Sequence, residues 1–404
     1  MKPSVGDRLD LEISKVVHGG YGLARRSDFV AFVKGVLPGE RVVATVSHVK
    51  KNHCYAELVD VTEASPQRIS HIWPEADWSR PPGLRAGGAD FGHIERQYQL
   101  ELKTDVLRES LTRFGGLDSQ RVERVRVAAL PGDVDGLGWR TRVTLHVSPE
   151  GKVGPFAEGT RTVVSVQELP LAHPALAQLG AHRMKWRDRT NVLLVAPSDA
   201  DPHIVDPDAP TASIRERVGE HSFEVAANGF WQVHRSAAGH LFHEVASRIS
   251  PDDIDGEREH WDLFAGVGLF SKAIATTLGP QAHVVSVEQD RLASDFARKN
   301  LSNHQRIDVV NARADAFVAG KQSTSPLGVV VLDPPRAGAG EKLVHEIAKQ
   351  LPQKVIYIAC DPVALARDVA CFGQAGYDLV SIDGLDLFPN THHMEAIATF
   401  IPQT

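Results

Sequence analysis

Cysteine is scarce in this sequence, and its scarcity limits the sites that the chain can build. Three scattered cysteines, Cys54, Cys360 and Cys371, occur among 404 residues. They provide neither a disulfide framework nor the closely spaced pairs of a zinc knuckle. A cluster held by four cysteines is excluded as well, because it needs more thiolates than the chain contains.

Long hydrophobic runs are missing too. No stretch of about 18 apolar residues occurs, so we predict that the protein has no transmembrane helix. Residues 1–7 lack the apolar centre of a signal peptide. We therefore expect a cytoplasmic protein, in a compartment where reactive thiols stay reduced.

Charge does not decide the class of partner. The formal net charge is −7, yet residues 1–62 carry 9 basic against 7 acidic side chains. These residues read as short strands between turns, which predicts a small β-barrel. Its charges either form an ordinary solvated surface or join aromatic residues in binding single-stranded nucleic acid. The basic loop residues are Arg25, Arg26, Lys34, Lys50 and Lys51.

The middle of the chain begins after a proline-rich stretch at 73–83. Helical spacing follows over 98–107 and ends near Gly115, and from 122 to about 219 the pattern is mostly β. Arg140 and Arg142 alternate on one predicted strand, so they share a face. That face is either a phosphate contact or an exposed charged surface.

The last segment alternates apolar strands with helical stretches from residue 260 onward. This order is typical of a doubly wound α/β domain with a mostly parallel sheet. We therefore predict an α/β protein with a Rossmann-like C-terminal domain at 220–404, an N-terminal barrel at 1–63 and a mostly β central domain at 64–219. A helix near 93–116 is expected to pack on the C-terminal domain.

A glycine-rich turn follows the first strand of this C-terminal domain. Gly266 and Gly268 would let a ligand approach the backbone, and Glu288 closes the next strand, where a carboxylate can bind ribose hydroxyls. A nicotinamide dehydrogenase would need the third glycine of G-x-G-x-x-G, which is missing. Asp262, an acidic residue before the turn, instead resembles the pattern of S-adenosylmethionine-dependent methyltransferases.

Two further motifs follow predicted strands. Asp-Pro-Pro-Arg at 333–336 places a carboxylate at the sheet edge, and the prolines fix the loop without needing amide donors. An aromatic residue in place of Arg336 would indicate methylation of a base amino group. Cys360 follows an apolar strand and precedes an Asp-Pro turn, so it is either a small buried hydrophobe or a thiol at the ligand-binding edge.

The final motif combines two adjacent histidines with a carboxylate. His392 and His393 suggest a metal, but neighbours on a strand point opposite ways and no third ligand is evident. We therefore predict structural or orienting roles for them. Glu395 precedes an apolar strand, where burial can raise the proton affinity of a carboxylate.

A thiol and a carboxylate near a methyl donor suit one reaction. C5 of uracil is too weak a nucleophile to take a methyl group directly, but addition of a thiolate to C6 makes C5 carbanion-like. After methyl transfer a base must remove the C5 proton so that the thiol can leave. Cys360 and Glu395 are the candidates for these two roles.

The chain resembles the S-adenosylmethionine-dependent RNA 5-methyluridine (uracil-C5) methyltransferases, and residues 7–62 resemble a TRAM domain, a small RNA-binding barrel. The TRAM resemblance rests on Gly-Gly-Tyr-Gly at 19–22 and Val-Leu-Pro-Gly-Glu at 36–40. The stretches that resemble the methyltransferases occur in the same order as in that family, and together with the TRAM-like segment they cover nearly the whole chain. They are residues 230–233, 262–268, 287–288, 333–336, 358–368 and 388–395.

The resemblance implies S-adenosylmethionine as the cofactor and a role for each matching residue. Cys360 would be the nucleophile and Glu395 the base that removes the C5 proton. No metal ligand is implied. The residues expected to line the cofactor or uracil pocket are Gln232, Phe264, Gly266, Gly268, Glu288 and Asp333, with Asp315 facing the adenine.

One departure from the family concerns an iron–sulfur cluster. Many members bind a four-iron cluster through cysteines that begin after the TRAM domain. Here Ala89 stands where a cysteine would be expected, and near residues 168–171 the fourth is missing too. We therefore expect a member without the cluster.

The sequence thus predicts an enzyme that methylates C5 of a specific uridine in structured RNA, with the target base flipped out of the RNA fold. Family analogy favours 23S ribosomal RNA over transfer RNA. Two alternatives stay open: a methyltransferase of a base amino group, and a non-catalytic RNA-binding protein on a retired methyltransferase scaffold. We expect a monomer that has RNA as its partner and does not bind membranes.

Overall fold

A computed structural model gives the fold for residues 3–26, 29–206, 212–321 and 325–403. Residues 1 and 2, the start of the segment without a signal core, lie outside the described residues. Within these ranges, no helix is both long and apolar enough to span a bilayer. The chain divides into two compact units. The first comprises Met1–Val106, Asp133–Leu194 and Phe388–His393, and the second comprises Leu107–Gly132, Val195–Leu387 and Met394–Thr404.

The N-terminal residues form one twisted sheet, as their strand pattern predicts. Its strands lie in the order β1-β5-β6-β4-β3-β2, and one face of the sheet packs into an apolar core that contains Cys54. This burial assigns Cys54 a structural role. The strands are β1 (Arg8–Glu12), β2 (Lys15–Val17), β3 (Tyr21–Arg25), β4 (Val30–Lys34), β5 (Arg41–Val49) and β6 (His53–Glu63).

The middle of the chain contains short elements and one long helix, α1 (Arg96–Arg113), which confirms the helical spacing seen there. Strands β10, β8 and β9 are neighbours in a small sheet. The elements after α1 are α2 (Ser119–Glu123), β7 (Val127–Ala129), β8 (Arg142–Val147), β9 (Val153–Gly154), α3 (Pro174–Gln178), β10 (Asn191–Val195) and β11 (His203–Val205).

Arg140 and Arg142 do not form an exposed charged surface, so that interpretation is wrong. Arg142 begins β8 and is 7% exposed, while Arg140 lies before the strand and donates from Nε to the Arg142 carbonyl oxygen at 3.2 Å. Burial also lowers the pKa of Arg140. Both guanidinium groups therefore belong to the packed interior of the first unit rather than to a solvated face.

The two histidines before Glu395 lie in a turn and not on a strand, which corrects the expectation that they point opposite ways. Their ring centroids are 3.9 Å apart. His392 binds Asp90, with 2.6 Å between Nδ1 and Oδ2. Burial has the largest single effect and would raise the pKa of Asp90. The hydrogen bond and charge of His392, together with other nearby charges, outweigh it and lower the pKa to about 2. The pair gives His392 a structural role in the first unit.

The region around Ala89 is a packed polar core. The Ala89 carbonyl oxygen lies 3.0 Å from His71 Nε2, and the indole nitrogen of Trp78 donates to His93 Nδ1 at 3.0 Å. The His71 and His93 rings stack with centroids 6.3 Å apart. Across the residues described, no group of His, Cys, Asp and Glu side chains is arranged to hold a metal ion.

The second unit contains a large mixed sheet in the order β16-β15-β14-β17-β18-β20-β19-β7. Its elements, with a preceding hairpin, are β12 (Ser213–Val218), β13 (His221–Ala226), α4 (Ala237–Arg248), β14 (Glu259–Leu263), α5 (Leu269–Leu278), β15 (His283–Glu288), α6 (Arg291–Asn300), β16 (Ile307–Asn311), α7 (Ala314–Gly320), β17 (Val329–Leu332), α8 (Glu341–Ala348), β18 (Lys354–Ala359), α9 (Pro362–Gln374), β19 (Tyr377–Asp386) and β20 (Glu395–Pro402).

This sheet confirms the predicted doubly wound α/β fold. Neighbouring strands from β16 to β18 are parallel, and β20 runs antiparallel to both of its neighbours. Strands β17 and β18 are almost fully buried, as expected for parallel strands covered on both faces. The strand order reverses between β14 and β17, and ligands of open α/β sheets bind at such a reversal, beyond the carboxyl ends of the strands.

One strand of this sheet lies outside the segment in which we predicted it. Residues 127–129 form β7, which pairs in parallel with β19 through Gly384 to Asp386. Gly384 permits the close approach, because a Cβ there would lie 2.5 Å from a Val127 methyl group. A three-residue edge strand is too short to show a period of two, so the sequence pattern could not reveal it.

Candidate active site

Cys360 lies at the carboxyl end of a central strand. It directly follows β18, and Asp361 then caps α9 by accepting from the backbone nitrogens of Val363 at 3.0 Å and Ala364 at 2.8 Å. The cap forces the chain to turn at the sheet edge, so the thiol is half-buried there rather than packed in the core. The buried-hydrophobe interpretation of Cys360 therefore does not fit its position.

The register of two strands brings Glu395 beside Cys360. Strands β18 and β20 pair antiparallel with Ala359 opposite Ala396, so one further step places Cys360 opposite Glu395. Glu395 is the first residue of β20 and is 5% exposed. Among the side chains that the structure describes, its Oε1 is a buried oxygen without a hydrogen-bond partner.

Two aspartates lie at the ends of the adjacent strands. Asp333 follows β17, and its backbone nitrogen donates to the Leu263 carbonyl oxygen of β14 at 3.3 Å. Asp262, within β14, is fully buried and accepts from Ser271 Oγ at 2.6 Å through one oxygen. Its other oxygen is one of the buried atoms of the described residues that have no partner. Such an unsatisfied acceptor favours a bound donor or a proton.

Burial raises the pKa of the buried carboxyl groups of this site and so disfavours their ionised forms. Burial is the main cause that raises the pKa of both Asp262 and Asp333 to about 7, and the negative charge of Asp262 adds to the effect on Asp333. Burial, then the charge of Asp333, raises the pKa of Glu395 well above its usual value. Like charges in a site of low dielectric disfavour simultaneous ionisation.

The thiol of Cys360 responds to the same surroundings. Burial first, then the charges of Glu395 and Asp333, raise its pKa to about 11. Arg336, in the loop after Asp333, has the opposite effect and lowers the pKa of both Cys360 and Glu395. Without a ligand the site therefore holds a neutral thiol, and formation of the thiolate depends on this arginine or on a bound substrate.

The glycine turn lies next to these groups in the order of the sheet. Phe264, Gly266 and Gly268 all have positive φ angles, of 64°, 54° and 92°. Glu288, at the end of β15, accepts from the Gly266 backbone nitrogen at 2.9 Å. A Cβ on Gly268 would lie 2.8 Å from a Leu301 methyl group, so this position requires glycine both for its backbone and for its packing.

The remaining predicted residues lie on loops around the sheet edge. Gln232 is half-buried in the connection between β13 and α4. Asp315, in the first turn of α7 after β16, is exposed and forms an ion pair with Arg313 at 2.9 Å. The structure thus brings Cys360, Glu395 and Asp333 together in one electrostatic cluster. A hydrogen bond joins Glu288 to Gly266 in the glycine turn. Asp315 contacts its sequence neighbour Arg313.

Three residues around this site have little sequence signal of a site role. Asp262 is the acidic residue before the turn, and a lone charge inside an apolar strand is its one signal. Arg336 is distinguished only by standing in place of an aromatic residue. Ser271 gave no signal, because its contact with Asp262 depends on how α5 packs on the sheet.

Sequence profiles of two known families match the chain. The family described as tRNA (Uracil-5-)-methyltransferase matches residues 223–401, and the TRAM domain matches residues 3–59. A solved structure with the same fold is that of Pyrococcus abyssi tRNA (uracil-54, C5)-methyltransferase in complex with S-adenosyl-L-homocysteine. It has a TM-score of 0.71 and 21% identity, and the alignment covers 97% of this chain and 100% of that one.

Bacterial relatives match over almost the full length. An RNA methyltransferase of Streptomyces avermitilis, itself uncharacterised, is 33% identical, with 98% of this chain and 99% of the relative covered. A similarly named protein of Corynebacterium glutamicum is 31% identical over 98% of this chain and 97% of its own. The chain therefore belongs to the RNA methyltransferases, with a TRAM domain near its start and a C-terminal region that matches the tRNA (Uracil-5-)-methyltransferase profile.

Proposed function

We propose that this enzyme transfers a methyl group from S-adenosylmethionine to C5 of a uridine in structured RNA. The observation that carries the proposal is the pairing of a thiol with a buried carboxyl group. The register of β18 and β20 brings Cys360 and Glu395 together at the ligand-binding edge of the sheet. Methylation of an amino group has no use for this pair, because a nitrogen lone pair attacks the methyl group without covalent activation.

The pair divides the reaction into two steps. The Cys360 thiolate forms a bond to C6 of the uracil, and the C5–C6 π electrons become available at C5. These electrons form the bond to the methyl group as its bond to the donor sulfur breaks, and the sulfur keeps the electron pair of the broken bond. Glu395, as a carboxylate, then removes the C5 proton, the C5–C6 double bond re-forms, and the Cys360 sulfur leaves with the electrons of its bond to C6. The raised pKa of Glu395 makes it a strong base once it is ionised.

The residues around the glycine turn fit S-adenosylmethionine. When bound, this cofactor supplies an electrophilic methyl group on a positively charged sulfur. Glu288 and the open backbone at Gly266 suit a ribose, and the unsatisfied oxygen of Asp262 suits a cationic group that would replace its proton. Phe264, Gly268 and Gln232 would complete this pocket, with Asp315 near the adenine, and Asp333 would face the uracil.

We further propose that the N-terminal sheet holds the RNA substrate. Phe32 and Tyr55 are opposite each other on β4 and β6, on the face turned away from the apolar core, and their ring centroids are 5.6 Å apart. Tyr21 lies 5.4 Å from Tyr55, and the Lys34 ammonium group lies 4.8 Å from the Tyr21 ring. Half-buried aromatic rings beside a cation form a surface on which unpaired bases stack.

The most specific part of the proposal is the class of RNA that the enzyme methylates. The TRAM domain favours 23S ribosomal RNA, whereas the names of the matching family and of the Pyrococcus enzyme point to transfer RNA. The test is methylation of both unmodified RNAs by the purified enzyme, followed by digestion and mass spectrometry of the nucleosides. We expect 5-methyluridine in ribosomal RNA. An N-methylated purine or cytidine instead would refute the proposed chemistry, and 5-methyluridine confined to transfer RNA would refute only the choice of RNA.

A further inference from the structure

The loop between β17 and α8 brings two charged residues to the active site. Its first part carries Asp333, which raises the pKa of Cys360, and Arg336, which lowers it. Its last part contains Gly338 and Gly340, both with positive φ angles of 83° and 79°. The Gly338 backbone nitrogen donates to the Pro335 carbonyl oxygen at 2.8 Å and closes a turn around Arg336. This turn links Arg336 directly to the last part of the loop.

Two buried side chains, Asp368 and Tyr357, hold the last part of the loop. Asp368 accepts from the backbone nitrogen of Ala339 at 2.8 Å and from that of Gly340 at 3.1 Å. The Tyr357 hydroxyl donates to the same carboxylate at 2.6 Å and lies 2.9 Å from the Ala339 nitrogen. These bonds satisfy the backbone nitrogens of Ala339 and Gly340 and restrain this end of the loop.

Both side chains come from the elements that carry the nucleophile. Tyr357 lies on β18 three residues before Cys360 and is fully buried, while Asp368 lies on α9, which begins two residues after Cys360, and is 3% exposed. Gly338 leaves room for the contact, because a Cβ there would lie 2.7 Å from Asp368 Oδ2. Asp368 accepts from three donors, two of them backbone nitrogens of the loop, so its buried carboxyl group supports the loop directly.

We propose that Tyr357 and Asp368 are positioning residues of the methyl-transfer site, which hold the loop 333–340 so that Asp333 and Arg336 face Cys360 and Glu395. The role in methyl transfer rests on the function proposed above, whereas the effect on the thiol does not. If the hold is loosened, the guanidinium group of Arg336 moves away from Cys360, and the acidic surroundings raise the pKa of the thiol further.

The test compares Tyr357→Phe with Tyr377→Phe. Tyr377 is a second buried tyrosine of the same sheet, and its hydroxyl donates to the Pro352 carbonyl oxygen at 2.9 Å, away from the loop. The readout is the rate at which iodoacetamide alkylates Cys360 between pH 7 and 10, measured by mass spectrometry of the peptide that contains it. Arg336→Gln serves as the reference, because it removes the cation directly.

We expect Tyr357→Phe and Arg336→Gln to slow alkylation of Cys360 at pH 8 by about three- to tenfold, since the rate follows the thiolate fraction. Tyr377→Phe should leave it unchanged. With RNA, Tyr357→Phe should lower kcat by a similar factor while KM for RNA stays the same, whereas Tyr377→Phe, which also loses a buried hydroxyl contact, should keep the wild-type kcat. Asp368→Asn, a second variant at the same contact, should have at least the same effect.

Two results would overturn the inference. In the first, the alkylation rate of Cys360 depends on pH as in the wild type in both Tyr357→Phe and Asp368→Asn, although Arg336→Gln changes that dependence. The other is an equal shift in Tyr357→Phe and Tyr377→Phe. Because alkylation needs no RNA, a shift found in an enzyme that makes no 5-methyluridine would refute the proposed function and leave the effect on the thiol standing.

Discussion

At the scale of single residues, burial disfavours the ionised forms of both Cys360 and Glu395, the residues proposed as nucleophile and base. The thiol of Cys360 has a pKa of about 11, and the pKa of Glu395 is raised well above its usual value. Neutral forms of these groups avoid unpaired charges in a buried site, and a neutral thiol resists oxidation better than a thiolate does. The cost is that substrate binding has to favour the ionised forms. Arg336 and the cationic cofactor are the groups suited to do so.

Glu395→Gln should stop the reaction after methyl transfer. Glutamine fits the same space but cannot remove the C5 proton, so the methylated RNA stays bound to Cys360. We expect turnover to fall by about two to four orders of magnitude, with a covalent protein–RNA complex on denaturing gels. Glu341→Gln, which changes an exposed acid of α8, should turn over like the wild type. Release of methylated product by Glu395→Gln at the normal rate would contradict the role of this residue.

Asp262→Asn should remove part of the pH dependence of stability. The pKa of Asp262 is about 7 in the folded protein and near 3.8 when unfolded, so its protonated form stabilises the fold at low pH and this contribution is lost as pH rises towards 7. We expect the wild type to lose on the order of 2–4 kcal/mol more than Asp262→Asn between pH 5 and 8. Thermal melting across this range measures it. The exposed Asp253→Asn should melt like the wild type, and equal slopes for wild type and Asp262→Asn would contradict the account.

Cys360 and Glu395 could be proposed as a pair from the sequence because the chemistry of uracil C5 needs one thiol and one base, and the register of β18 and β20 brings the two residues together. The contacts that surround these two residues could not be predicted from the sequence. The contacts of Ser271 with Asp262, and of Tyr357 and Asp368 with the loop at 338–340, join residues whose proximity depends on strand register and helix packing. Periodicity places each residue on a face but does not fix which faces meet.

At the scale of elements, the glycine turn before α5 leaves little room for a side chain. Gly268 combines a φ angle of 92° with a close approach to Leu301, and Asn300 Nδ2 donates to the neighbouring Val267 carbonyl oxygen at 3.1 Å. The end of α6 therefore supports the turn from behind. This support makes the turn rigid, as a backbone site for a nucleoside requires.

Gly268→Ala should destabilise the fold and weaken cofactor binding together. A left-handed alanine and the clash with Leu301 are each unfavourable, so we expect a loss of about 1–3 kcal/mol in the free energy of unfolding. Calorimetric titration with S-adenosylhomocysteine should show at least tenfold weaker binding, as a rough figure. Gly239→Ala, in the exposed face of α4 with open space around the new methyl group, is the matched control and should be neutral or slightly stabilising. Unchanged binding by Gly268→Ala would exclude the turn from the cofactor site.

The strands and helices of the second unit were predictable because apolar strands and amphipathic helices alternate there without interruption. Elements that depend on distant parts of the chain were not. Strand β7 has three residues and gains its stability only by pairing with β19, and the turn at His392 follows from the bond to Asp90. Local pattern therefore identifies the parallel core of a sheet better than its edges.

The whole molecule combines a catalytic sheet with an N-terminal sheet that carries its aromatic residues on the face away from its core. Aromatic side chains on such a face cost solubility and add nothing to the core, so they indicate a binding surface. Tyr21, Phe32 and Tyr55 form this aromatic cluster. If RNA bases stack on it, substrate binding and chemistry should be separable by mutation.

Phe32→Ala should weaken RNA binding without affecting the cofactor site. Loss of one stacking ring is expected to raise the Kd for RNA by about five- to a hundredfold, while the Kd for S-adenosylhomocysteine and the chemical rate at saturating RNA stay the same. Val59→Ala shortens an exposed apolar side chain of β6 in the same sheet and should leave all three quantities unchanged. An unaltered Kd for RNA in Phe32→Ala would remove the aromatic cluster from the substrate-binding surface.

The covalent role of Cys360 is the central claim, and trapping with 5-fluorouridine tests it most directly. RNA transcripts that contain 5-fluorouridine are incubated with S-adenosylmethionine and either the wild type or Cys360→Ala. Fluorine cannot leave C5 as a proton does, so the reaction should stop as a covalent protein–RNA adduct in the wild type and form none in Cys360→Ala. Methyl transfer to unmodified RNA by the wild type, without any adduct on fluorinated RNA, would contradict the mechanism.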